Sequence, residues 1–341
     1  MGLKLDIICN DGSPLQVTEK TIYGDGVQLG VGGAELFLLT MCRAWKERGY
    51  DVTLYNNPRE LGVSSFEQRP LNDFRGNDDR DVLLAFRSPN SRIQNAKGMK
   101  VWLSCDQYTI GDFRDFSTKV DKIVTISPFH AKHFFDTYGI GNSHVIDIPV
   151  REWDYAETVE KNPLQVLYCH IPDRGLDQLA EIWEHISIKV PDAQLHITSD
   201  WRLWDAGISS NLTIPYRLKF AKFNNVTYHS VVSRMDLVKL QQSSMINLYP
   251  CTYDELFCIS VAETQYAGCY PITSDRGALK TTNMGRVLQL SNLQDFVNST
   301  VLTLTNPDYT VEVAERTKEL AQDRFSINNI LNQWDDIIFN G

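Results

Sequence analysis

An α/β fold with parallel sheets, shared between two domains, is predicted by three features of the sequence. Short β-branched runs alternate with amphipathic stretches along the whole chain, the chain is too long for one core, and a proline-bounded, weakly patterned segment lies near its midpoint. Single hydrophobic cores stop growing at about 250–300 residues. The 341 residues here therefore imply two domains. With 43% hydrophobic and 22% charged residues, the composition is that of an ordinary folded protein.

The expected strands follow in order. In the first half they cover residues 3–9, 51–55, 81–86, 100–104, 122–126 and 145–148; in the second, 165–168, 194–198, 226–229, 245–249 and 270–273. Between them, Ala34, Phe37, Leu38, Met41 and Trp45 fall on one helical face, and Gly49 ends that helix. Ser127 and Pro128 form an N-cap and first-turn pair that opens a helix with Ala131, Phe134 and Tyr138 on one side. Residues 149–163 are charged, bounded by prolines and free of strand periodicity. The expected division is a first domain over 1–150, a linker over 151–163, a second domain over 164–325, and a closing helix over 326–341 that packs back on the first domain.

Charge narrows the function. The formal net charge is −10, from 33 basic and 43 acidic residues, so no global attraction draws the protein to nucleic acid, and any phosphate site must be local. Seven cysteines occur without a Cys-x-x-Cys pair, which predicts free thiols rather than zinc or disulfides. Neither a signal-peptide layout nor a run of about 18 apolar residues is present, and a cytoplasmic location is expected. The stretch from Arg217 to Phe223, with Lys219 and Lys222, is basic and aromatic; it reads as a helix rim, with contact to a lipid-linked or anionic acceptor as the alternative.

Two segments carry chemistry. Gly30, Gly32 and Gly33 open the first long helix, whose free N–H groups and dipole favour an anion, and glycine allows a phosphate to approach the backbone. A dinucleotide fingerprint is not met: Glu35 stands where the third glycine belongs, and the strand ends near residue 9, far from the loop. The second segment runs from Tyr253 to Gly268 and sets Glu255 in a loop and Glu263 eight positions on, in a helix expected to begin near Phe257. The first N–H groups there, at Phe257, Cys258 and Ile259, would form an anion site beside Glu255. Ionised carboxylates only accept hydrogen bonds, which suits the vicinal hydroxyls of a sugar or ribose.

The second segment resembles the signature of the retaining glycosyltransferases of family 4, which include glycogen and sucrose synthases and many mannosyltransferases: Glu, seven residues, Glu, an aromatic two places after the first Glu, and Ala-Gly after the second. The resemblance continues through Gly32-Gly33-Ala34-Glu35, the segment 101–106 ending in Asp106, Ser127-Pro128-Phe129, and Arg174-Gly175-Leu176. It implies a GT-B fold, two Rossmann-like domains whose parallel sheets face each other across a cleft. It also implies transfer, with retention and without metal, from a UDP- or GDP-sugar to a carbohydrate, lipid-linked or small-molecule acceptor. On this resemblance Arg174, Gly32, Gly33, Phe257, Cys258 and Ile259 meet the donor diphosphate, Glu255 the donor sugar, Glu263 the ribose, and Asp106 the acceptor side.

Two departures stand out. Cys105 occupies the place before Asp106 where such proteins commonly carry His, with His130 and His133 as possible substitutes, and no second cation precedes Arg174 except His170. These motivate a second reading, a catalytically silent nucleotide-sugar-binding partner subunit; a GT-B phosphorylase or epimerase is a third. Asp79-Arg80-Asp81 imitates an Asp-x-Asp metal motif but directly precedes an apolar strand, and reads as a loop.

Overall fold

The computed structural model describes residues 2–10, 14–107, 110–203 and 210–340. The chain divides into two compact units, one formed by residues 1–25, 31–149 and 327–341, the other by 26–30 and 150–326.

The first unit holds a seven-stranded sheet of β1 (Lys4–Ile8), β2 (Asp51–Tyr55), β3 (Glu67–Arg69), β4 (Val82–Phe86), β5 (Met99–Leu103), β6 (Lys122–Thr125) and β7 (Ser143–Val145). The strands lie in the order β3-β2-β1-β4-β5-β6-β7, and every pair is parallel. Its helices are α1 (Glu19–Ile22), α2 (Gly33–Glu47), α3 (Phe113–Ser117) and α4 (Pro128–Tyr138). All five residues of β4 are buried, as a central parallel strand covered on both faces requires. Helix α2 turns Phe37, Leu38, Met41 and Trp45 inward and stops where Gly49 takes a φ of 98°. Ser127 caps α4 by accepting from the His130 N–H, with Pro128 in the first turn. Trp102 anchors one side of the core against Phe113 and Phe116, edge to face at 4.9 and 5.2 Å.

The second unit holds β8 (Asn162–Tyr168), β9 (Gln194–Ile197), β10 (Val226–Tyr228), β11 (Ser244–Tyr249), β12 (Tyr270–Ser274) and β13 (Arg286–Leu288), in the order β10-β9-β8-β11-β12-β13 and again all parallel. Helices α5 (Leu176–Lys189), α6 (Ile214–Phe220), α7 (Arg234–Ser243), α8 (Ile259–Tyr266), α9 (Leu279–Thr282), α10 (Leu293–Thr305) and α11 (Pro307–Arg324) belong to it. Trp183, Ile186, Leu195, Ile246 and Phe296 meet in its core. Helix α12 (Ile327–Asn340) belongs to the first unit, where Trp334 meets Trp45 edge to face at 5.3 Å and Arg48 donates to Asn328, Asn332 and Asp335.

Several elements differ from the sequence expectations. The edge strands β3 and β13, three residues each, carry too little pattern to be foreseen, and the strand expected over 145–148 lies instead at Ser143–Val145. Helix α8 begins at Ile259 rather than near Phe257, because Cys258 adopts a left-handed φ of 76° as its N-cap. Segment 151–163 carries a 3-10 turn at Glu152–Tyr155, with Arg151 and Asp154 buried. Asp79-Arg80-Asp81 is a loop, as the sequence predicts: Arg80 is buried against Asp6, and Asp81 accepts from the Lys4 N–H. Lys219 and Lys222 pair with Asp177 and Glu184 along the rim of α5 and α6.

Candidate functional site

In open parallel sheets, ligands bind outside the carboxyl ends of the strands where the strand order reverses. That point falls between β8 and β11 in the second unit and between β1 and β4 in the first.

At the second unit's reversal, the chain leaving β8 forms a 3-10 turn over Pro172–Arg174 and enters α5 through Gly175. Gly175 has a φ of 125°, and a Cβ there would lie 2.3 Å from the Pro250 carbonyl oxygen, so only glycine lets this loop approach the chain leaving β11. The approach delivers Arg174 to Glu255: Nη1 donates to Oε1 at 2.8 Å. Tyr249, the last residue of β11, donates its hydroxyl to the same oxygen at 2.7 Å. The Arg174 guanidinium also lies 4.2 Å from the Tyr253 ring centroid. Behind the loop, the Ala278 N–H donates to the Glu255 carbonyl at 2.7 Å, and Gly277, at a φ of 54°, leaves room for that contact.

The result is a carboxylate with one oxygen doubly engaged and Oε2 accepting nothing from the described residues. Burial works against the Arg174 charge, but Glu255 outweighs it and holds the guanidinium above its ordinary value. Burial, and next to it Glu255, push the Tyr249 phenol well up, so it stays a hydrogen-bond donor. His170 supplies no second cation. Burial pushes its imidazole down to about 3; the neutral ring stacks on Tyr249 at 3.4 Å between centroids, and its Nδ1 lies 3.1 Å from Ser260 Oγ.

The later start of α8 moves its open end. The first helical N–H groups are those of Ile259 and Ser260, while the Val261 N–H already bonds to the Cys258 carbonyl and the Phe257 ring packs edge to face on Phe325. An anion at this end would meet Ile259 and Ser260, with Phe257 and Cys258 shaping the turn before it.

Glu263 lies in a different environment. It is 2% exposed, and its oxygens accept from Arg234 Nη1 and Nη2 at 3.1 and 2.6 Å and from Gln241 at 3.4 Å. Arg234 Nε donates to Asp154 at 2.8 Å, which extends the network to the segment that precedes β8. Glu263 is thus partnered on both oxygens inside the unit. The sequence marks Tyr249 only as the end of an expected strand and does not single out Arg234; each finds its partner only through the fold.

At the first unit's reversal, β1 ends before Cys9, β4 before Arg87 and β5 before Ser104, with Cys105 and Asp106 next. Arg87 takes a left-handed φ of 68°, uncommon for a non-glycine residue, and donates through Nε at 2.8 Å and through Nη2 to Asp106 Oδ2. Glu35, third residue of α2, lays its carboxylate back against Gly32, where a Cβ would meet Oε2 at 2.7 Å. Burial raises the Glu35 carboxyl, with the backbone N–H groups at the start of α2 and Arg87 pulling the other way. The Gly33 and Ala34 N–H groups remain as the open end of α2. Cys105 is a thiol pushed up by burial, and His130 and His133 do not replace an imidazole beside it: His130 is fully buried on α4 and held neutral, pushed down to about 3, and His133 contacts Thr137 and Tyr138. Arg87, the partner of Asp106, is a cation that the sequence does not single out.

Among the described residues, no group of three or more His, Cys, Asp or Glu could hold a metal ion, and no helix is long and apolar enough to cross a membrane. The seven cysteines are free thiols. A hollow lined by Leu3, Arg48, Tyr50, Val82, Met99 and Phe339 opens at the opposite, N-terminal edge of the first sheet, away from the strand ends where ligands collect.

No protein-family model matches the chain, and no curated protein matches it. Solved structures do. Sucrose-phosphate synthase from Thermosynechococcus elongatus is similar with a TM-score of 0.69 at 14% identity, over 98% of each chain. A glycosyltransferase from Rickettsia africae is similar with a TM-score of 0.72 at 15% identity, over 99% of this chain and 98% of that one. HepE from Anabaena, in complex with UDP, is similar with a TM-score of 0.72 at 13% identity, over 99% of this chain and all of the other. The likeness spans both units and shows the fold, GT-B with two parallel-sheet units.

Proposed function

We propose that the protein is a retaining glycosyltransferase of family 4 type that moves a sugar from a nucleotide diphosphate sugar to an acceptor hydroxyl. The observation that carries this reading is Glu255: a carboxylate fixed by Arg174 and Tyr249 with one oxygen left to accept. Leaving-group departure builds negative charge on the diphosphate while the anomeric carbon becomes cation-like. Arg174 and the Ile259 and Ser260 N–H groups are the groups that meet that charge, and no metal is required in this scheme. Glu255 Oε2 accepts from donor-sugar hydroxyls. A ribose contact by Glu263 requires Arg234 to share its carboxylate. In the first unit, the open end of α2 at Gly33 and Ala34, just after Gly32, serves phosphate and Asp106 serves the acceptor. A uridine nucleotide is the first donor to try, because HepE was solved in complex with UDP-glucose.

A panel of uridine, guanosine and adenosine diphosphate sugars, read by melting temperature, tests the reading. A ligand at a hundredfold excess over Kd stabilises by about 2.7 kcal/mol, so at least one member raises the transition; if none does, the reading fails. Product analysis with the responding donor then separates turnover from silent binding, the second reading, which Cys105 in place of an imidazole favours. Glu255→Gln lowers kcat/KM by about 10- to 100-fold, the worth of a hydrogen bond to a charged group.

A further inference from the structure

We infer that Tyr249 is the positioning residue of the sugar-recognising carboxylate: its hydroxyl fixes the rotation of Glu255 so that Oε2 alone meets the ligand. The inference rests on the proposed function and extends it to a residue outside the Glu-x7-Glu motif. Three observations converge. The Tyr249 hydroxyl and Arg174 Nη1 reach the same oxygen, Oε1, at 2.7 and 2.8 Å, from β11 on one side and from the turn after β8 on the other. The Tyr249 ring is fully buried and clamped face to face on His170 at 3.4 Å and 4°, so the hydroxyl has almost no freedom to follow a displaced carboxylate. Oε2 has no partner among the described residues, although the Glu255 side chain is only 9% exposed.

A carboxylate held by Arg174 alone could turn about its terminal torsion, which is soft at an sp³–sp² bond, and present either oxygen. A second donor from a different direction removes that freedom. Tyr249 thereby acts on sugar recognition without touching the ligand.

The test uses the full-length protein with uridine diphosphate and uridine diphosphate glucose, or the corresponding pair of whichever base the panel selects. Tyr249→Phe deletes one oxygen and keeps the ring stack. The expected result is a Kd for the nucleotide sugar raised about tenfold, with the Kd for the parent nucleoside diphosphate changed less than about twofold. A double-mutant cycle adds a readout that packing damage does not imitate: because Tyr249 works through Glu255, Tyr249→Phe in a Glu255→Gln background costs far less than in the wild type. Equal loss for both ligands, full additivity in the cycle, or wild-type discrimination in Tyr249→Phe overturns the inference. Should Tyr249→Phe not fold, Tyr249→His, which keeps a stacking ring but shortens the donor, is read against the same outcomes. A wild type that binds neither ligand overturns the proposed function instead.

Discussion

Both sheets place their first strand beside their fourth, yet the two reversal points are equipped for different work. In the second unit the carboxylate of Glu255 is nearly buried and held from two sides. In the first unit the Arg87–Asp106 pair is about a quarter exposed on each partner, and the acid beside it, Glu35, lies against Gly32 with its carboxyl raised by burial. Topology therefore supplies two equivalent edges, and side chains decide what each can hold. The Glu255 cluster is the more enclosed of the two, and the Arg87–Asp106 pair the more open to solvent.

Activity should break this comparison most sharply. Arg174→Ala removes the guanidinium from the second unit's cluster and leaves Glu255 with Tyr249 alone; kcat/KM should fall about 100- to 1000-fold, the loss expected when a charge-stabilising donor is deleted. Steady-state kinetics on a variant that keeps its melting temperature would check this. Asp106→Asn should cost less with a permissive acceptor, and an equal loss would erase the distinction between the units.

Stability separates the two glutamates of the motif. Glu263→Gln leaves Arg234 buried with Asp154 as its remaining acid, and unfolding free energy should drop by about 3 kcal/mol, the lower end for breaking a buried pair. A chemical denaturation series gives the value, and a variant as stable as the wild type would mean that Glu263 is available for ligand after all.

Acid should affect both units through one buried imidazole each. His130 and His170 are held neutral down to about 3, against an ordinary value of 6.5. The unfolded chain therefore takes up these protons first: stability is intact above pH 6.5 and falls as the pH drops toward 3, by on the order of 1 kcal/mol per unit and per histidine. Melting curves of His130→Asn and His170→Asn should each flatten over this window, and parallel curves for wild type and variants would contradict the assignment. The smallest effect is expected at the first unit's pair, where Asp106→Asn should change stability by less than about 1 kcal/mol.

The sequence reported periodicity well and partnership poorly. Strands such as Asp51–Tyr55 and helices such as Gly33–Glu47 were legible because burial writes itself into alternating or 3.6-residue patterns. Edge strands of three residues are too short to do so, as β3 with its sequence Glu-Gln-Arg makes plain. Helix α8 starts two residues beyond the point the sequence predicts, because nothing in the sequence signals a cysteine at a left-handed N-cap. Arg174 and Glu255 were readable as a pattern, but the pairing of Arg234 with Glu263 spans 29 residues and that of Tyr50 with Asp335 spans 285, and no local signal encodes either.

Helix α12 has a consequence for how this chain is made. Arg48 on the edge of α2 and Asn328 on α12 are separated by 280 residues, so the ribosome emits the entire second unit before the Trp334 indole can cover Trp45. At synthesis rates of about 5–20 residues per second, the first unit spends tens of seconds with that tryptophan uncovered. Its sheet can form early, but its closure waits, and a chaperone that recognises apolar surface would meet the nascent protein there.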